Sequence, residues 1–293
     1  MEFKKGDRVR YEKATAWGLG EIIELTGGPY CKIFFVNHGE TTIGKDFMSF
    51  LVKIEGKDSA HPLLDNLRLP GQSKDVKFRS IGNLVSLFSQ IFPKGFYDDE
   101  YLKHERAYKV EAHSLMTNLL NKSAFTDLIE LGEYEEICLH ALKVVNKTNL
   151  IFPNEKMALK DGLKSTENKQ LFSTTLFDLL YGSNELSKRF ECFATALERI
   201  NAAKWTTQTY FLFLAFPDKY MFMKPSVSQY AADAFAFELH YRSEINWNSY
   251  ERLLLFSQYV SDELSKISDY LKPRDMIDTQ SFIWSSVPGK YTA

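Results

Sequence analysis

Two stretches of this 293-residue chain gather side chains able to do acid–base or nucleophilic work. The first is Lys224, which stands directly before Pro225. Proline at a first helical position is preorganised for a helix, so Lys224 is expected near an N-cap. There its ammonium meets the positive end of the helix dipole, which makes it a poor cap. Desolvation and that dipole both lower an amine's pKa, the condition for a nucleophile. The same group would equally serve as a point charge on a phosphate. The second stretch, Leu271 to Trp284, sets Asp275 and Asp278 three residues apart after Pro273, with Arg274 and Gln280 beside them. On a helix the two carboxylates are neighbours on one face. Their repulsion raises one pKa, which suits general acid or base work. Two other readings stay open: the acids cap a helix start while Arg274 pairs with one of them, or they hold Mg²⁺ for a nuclease.

Other chemistries lack their signatures. There is no GxxxxGK[ST], GxGxxG, HExxH, GxSxG or EF-hand loop. The six His are scattered, and Cys31, Cys138 and Cys192 form no CxxC, so neither a metal nor a cofactor is expected. With 36 Lys+Arg against 38 Asp+Glu, a strongly basic coat for nucleic acid is excluded. A local basic groove is not, because attraction to phosphate follows charge distribution. No apolar run spans a bilayer and the first residues lack an apolar leader core, so a cytoplasmic protein is expected.

The elements that must carry these groups divide the chain. Residues 1–55 read as β: RVRYEK, GEIIEL, YCKIFFV and TTIGKDFMSFLVKI are separated by Gly-, Pro- and Asn-bearing turns. Short strands so closely spaced imply a small barrel. Residues 56–75 are polar and rich in Gly and Pro, and read as a linker. From 76 to 293 the period turns helical, for instance over Tyr108, Ala112, Leu115 and Leu119, over Leu186 to Ile200, and over Leu253 to Leu271. Lys103, Glu105, Arg106, Lys109 and Glu111 alternate in sign and read as a solvated helix face. The fold class is therefore α+β, a small β-barrel followed by a large irregular all-α domain.

The opening pattern, GDRVRYEKATAWGLGEIIEL followed by CKIFFVNHGETTI, resembles the SH3-like barrels of the Tudor, KOW and CarD-like type. That likeness implies nucleic-acid, peptide or protein binding, and Arg8 and Arg10 are candidate backbone contacts. Asn201 to Phe237, NAAKWTTQTYFLFLAFPDKYMFMKPSVSQYAADAFAF, resembles the helix-hairpin-helix DNA glycosylases. In that superfamily a hairpin precedes an apolar helix, a turn of the GRPD kind and a VFPVD-like segment, and the catalytic Asp starts the next helix. Here Ala202 and Lys204 stand near the hairpin glycines, and Lys224 stands at the catalytic Asp's place.

The resemblance implies a DNA-binding protein that flips a damaged or modified base from a duplex and cleaves its glycosidic bond, a role compatible with defence against modified phage DNA. The catalytic candidates are Lys224, Asp275 and Asp278. Candidate pocket walls are Trp205, Tyr210, Phe211, Tyr241, Trp247, Gln280 and Trp284. Lys204 and Arg274 join the backbone contacts. The alternative expectation is a non-catalytic module that binds nucleic acid or a partner protein.

Overall fold

The structure, a computed structural model, describes residues 3–25, 30–68 and 77–286. Five short strands, β1 (Arg8–Tyr11), β2 (Gly20–Leu25), β3 (Tyr30–Phe35), β4 (Gly39–Gly44) and β5 (Leu51–Ile54), form one antiparallel sheet in the order β4-β3-β2-β1-β5. Burial explains the adjacent apolar residues Ile22-Ile23 of β2 and Ile33-Phe34-Phe35 of β3. Val9, Ile22, Cys31, Ile33, Phe35, Ile43 and Leu51 fill the sheet's own core. Leu19, Ile23, Phe34 and Val36 point the other way, into the core of the helical body. At these positions alternate side chains thus serve two cores. In the β3–β4 turn, Gly39 has φ +86°, and a Cβ there would lie 2.6 Å from the Phe78 ring.

Residues 56–68, the described part of the linker reading, pack against the rest of the chain. Residues 56–68 hold two 3-10 turns, and Leu63 and Leu64 are buried. Arg8 Nη2 reaches Asp65 at 3.0 Å, Leu67 bridges to Phe237, and Arg68 pairs with Asp233. The apolar pair Leu63-Leu64 supplies the burial that the Gly, Pro and charge content concealed. The remainder of that linker reading, from residue 69, lies outside the described residues.

The helical body comprises α1 (Ile81–Ile91), α2 (Asp99–Tyr101), α3 (Ala107–Leu119), α4 (Lys122–Glu130), α5 (Tyr134–Asn146), α6 (Pro153–Gly162), α7 (Thr166–Tyr181), α8 (Leu186–Arg199), α9 (Trp205–Ala215), α10 (Pro225–Ala234), α11 (Trp247–Ser265) and α12 (Met276–Ser286). Helix starts obey local chemistry: Ser80, Asn121, Ser165 and Asn246 cap α1, α4, α7 and α11, and Pro153 and Pro225 open α6 and α10. Every residue of α9 is buried, as is every residue of α12 except Trp284. Among the described residues no helix is long and apolar enough to cross a membrane.

One departure matters for the site. A π-helical turn spans Leu102–Arg106 between α2 and α3. Its wider turn changes the register, and such insertions often mark functional positions. The fully buried line of α3 runs through Lys109, Ala112 and Met116, and of the expected face Ala112 is buried while Tyr108, Leu115 and Leu119 pack half-buried against the core. Glu105 and Lys109 are therefore buried and Arg106 largely so, where alternating charge implied a solvated surface.

Candidate functional site

Three elements meet around the middle of α12. The π-turn and the start of α3 bring Glu105, Tyr108 and Lys109. The loop from α5 to α6 brings Asn149 and Leu150. Lys224, the N-cap residue of α10, joins Gln280 and Trp284 of α12 in the lining. Together with His104 they line a cleft of about 110 Å³. Ordinary small-molecule pockets run from roughly 300 Å³ upward, so this one is sized for a single ring or a few waters.

Lys109 is the most unusual group there. It is 1% exposed, and its Nζ donates to Ser281 Oγ at 2.7 Å and to Glu105 Oε2 at 3.3 Å. Burial pulls its ammonium down to about 8, with Glu105 pulling partly the other way. An amine with that pKa has a substantial neutral fraction near pH 8. Lys224 does lie at the start of α10 as Pro225 dictates, and its ammonium sits 4.5 Å from the Phe152 ring centre and 4.6 Å from that of Trp284. Two aromatic faces hold that charge at the cleft wall.

The acidic turn is built differently. Asp278 is fully buried and accepts from Tyr101 OH at 2.6 Å, Arg106 Nη1 at 2.8 Å, Arg274 Nε at 2.8 Å and the Arg274 amide at 2.9 Å. Burial by itself would push its carboxyl up, but the Arg274 and Arg106 guanidiniums hold it below the usual carboxylate range. The same burial and the Asp278 charge push the Tyr101 phenol well up. Asp275 takes both arms of Arg106, at 2.8 and 2.6 Å, and accepts from the amides of Ile277 and Asp278 as a helix-start residue does. Arg274 also donates to Phe96 O at 2.9 Å, tying the turn to the segment before α2. Neither Asp lines the cleft. Among the described residues, no three His, Cys, Asp or Glu side chains gather as a metal site.

Of the expected site residues, the cleft thus unites Lys224, Gln280 and Trp284. Asp275 and Asp278, at the start of α12, meet Arg106 beside Glu105 of the cleft, and Arg274 pairs with Asp278. Trp205 packs near Phe190 and Tyr241, and Trp247 stacks edge-on against Phe190. Tyr210 is wholly buried, donating to Val144 O at 2.8 Å and meeting Thr148 Oγ1 at 2.9 Å, and Phe211 sits in the same core. Lys204 is exposed at the N-cap of α9, Arg10 is exposed on β1, and Arg8 is ion-paired with Glu21 and Asp65. Glu105, Tyr108 and Lys109 escaped the sequence reading. Their one signal, mixed charge at helical spacing, is shared by solvated faces. No family model, curated protein or solved structure matches the chain.

Proposed function

We propose that the chain is a DNA-binding enzyme of the base-excision kind, one that takes a single extruded, damaged or modified base into this cleft and breaks its N-glycosidic bond. The observation that carries the reading is Lys109, a buried amine with a pKa of about 8, hydrogen-bonded beside a carboxylate in a cleft of one-ring size. Trp284 offers a wall on which a base stacks, and Lys224 offers positive charge at the wall. As the base departs with the bonding electron pair, the neutral Lys109 amine adds to C1′ and Glu105 accepts the proton that the new C–N bond sheds; Glu105 then returns that proton to O4′ as the C1′–O4′ bond breaks, which opens the sugar ring and leaves a Lys109 Schiff base for water to hydrolyse. Asp275 and Asp278 then hold the α12 turn in place through Arg106 and Arg274. Excision measured on duplexes carrying a panel of modified bases tests the reading. Borohydride should trap a Lys109–DNA adduct. Inactivity across the panel, with the fold intact, removes it.

A second reading, a non-catalytic nucleic-acid-binding module, is favoured by the acidic turn. Its carboxylates are spent on two arginines, which also disfavours a Mg²⁺-dependent nuclease there. A binder would show DNA affinity that weakens with salt and no cleavage of any duplex.

A further inference from the structure

The shorter of the two hydrogen bonds that Lys109 donates goes not to Glu105 but to Ser281 of α12, at 2.7 Å against 3.3 Å. Ser281 is fully buried, and its hydroxyl gives its one proton to Ile277 O at 2.8 Å. Toward Lys109 Nζ that hydroxyl can therefore only accept. A neutral amine has two N–H donors and one lone pair. Ser281 and Glu105 accept the two N–H groups, and Cε fills a third tetrahedral direction. The lone pair is left in the fourth, with no proton offered to it by either partner. The other charged and titratable groups around the amine are Arg106 of the π-turn, Asp278 of α12 and Tyr108, whose ring centre lies 5.3 Å from Nζ. Arg106 turns both arms to Asp275 and Asp278, away from the role of a donor to the amine.

We propose that Ser281 is a positioning residue: by accepting one N–H and donating none, it fixes the Lys109 amine with its lone pair free for an electrophile. This inference rests on the excision reading above, in which that amine attacks C1′, and adds the residue that aims it.

The test is reductive alkylation of the full chain by formaldehyde and cyanoborohydride, read at Lys109 by peptide mass spectrometry. The amine adds to the aldehyde, water leaves, and hydride from the reagent reduces the imine, so no DNA is needed. At a pH above the amine's value of about 8, native Lys109 is largely neutral and should react. Ser281→Ala should slow the reaction roughly tenfold, the order expected when a reacting group loses its orientation. Its pH midpoint should also fall, because removing an acceptor costs an ammonium more than an amine. A side chain that only fills space would leave that midpoint in place. Ser281→Thr, which keeps the hydroxyl and its bond to Ile277 O, should match the native chain in both. If Ser281→Ala does not fold, Ser281→Cys, a weak acceptor of similar shape, takes its place. A native Lys109 inert to the aldehyde overturns the inference, as do a rate and midpoint unchanged by loss of the hydroxyl. A duplex-excision panel run alongside separates the two claims. Slowed alkylation with every duplex inert supports the positioning role and removes excision. Excision with alkylation unchanged removes the positioning role alone.

Discussion

The start of α12 and the cleft beside it are both built from polar side chains and end in opposite conditions. Asp275 and Asp278 are surrounded by donors: two guanidiniums, a phenol and backbone amides. Gln280, two residues after Asp278, keeps a buried oxygen with no donor, and Lys109 is an ammonium largely stripped of water. A saturated network in a low-dielectric interior stabilises the fold and leaves nothing over for a ligand. Unmet hydrogen-bonding capacity beside a cleft is what a ligand can complete. The difference teaches that an inventory of acids and amines does not separate scaffold from site; the count of satisfied lone pairs does.

The largest expected effect falls on the scaffold half. Asp278→Ala strands Arg106, Arg274 and the Tyr101 hydroxyl, and should cost about 3–5 kcal/mol of stability in denaturant unfolding, the range for breaking a buried ion pair. A cost well under 1 kcal/mol would mean that this turn is not the support described. On the other half, Lys109→Met should lower excision by about 10²–10⁴-fold and abolish the borohydride adduct, while circular dichroism remains native. Loss of the fold instead would move Lys109 into the scaffold class and erase the contrast.

Trp284→Ala should weaken ligand or DNA binding by roughly 1–3 kcal/mol, the worth of one stacked base, with Trp284→Phe retaining most of it. Unchanged affinity in Trp284→Ala would leave the cleft without its stacking wall. The smallest effect is in pH dependence. The Lys109 pKa falls from 10.5 to about 8 on folding, so between those values the unfolded chain holds the extra proton. Raising the pH above 8 therefore stabilises the native protein relative to Lys109→Met, by on the order of 1 kcal/mol over the first unit. A flat difference across that interval would place the amine in water.

Much of the scaffold was legible before any coordinates. The Gly- and Asn-bearing turns mark a small antiparallel sheet, and Pro273 falls in the break ahead of α12. Pro225 placed Lys224 at a helix start because its ring fixes that backbone. Asp275 as a helix-start acid was likewise among the readings that spacing allowed. Burial was where pattern failed. Lys109 and Glu105 carry the charges of a wet surface, yet the π-turn rolls them inward. Trp205 and Tyr210 looked like pocket walls and are core, since an aromatic ring is equally at home in either place.

Local sequence dictates a β segment ahead of a helical one and Lys224 beside an N-terminus, because each follows from backbone chemistry a few positions wide. Which carboxylate meets which arginine, and which amine loses its water, was decided only in three dimensions. Arg106 and Asp275 are 169 positions apart, and Lys109 and Ser281 are 172. Desolvation and hydrogen-bond satisfaction are properties of what packs against a group, and no local stretch of sequence contains its own neighbours.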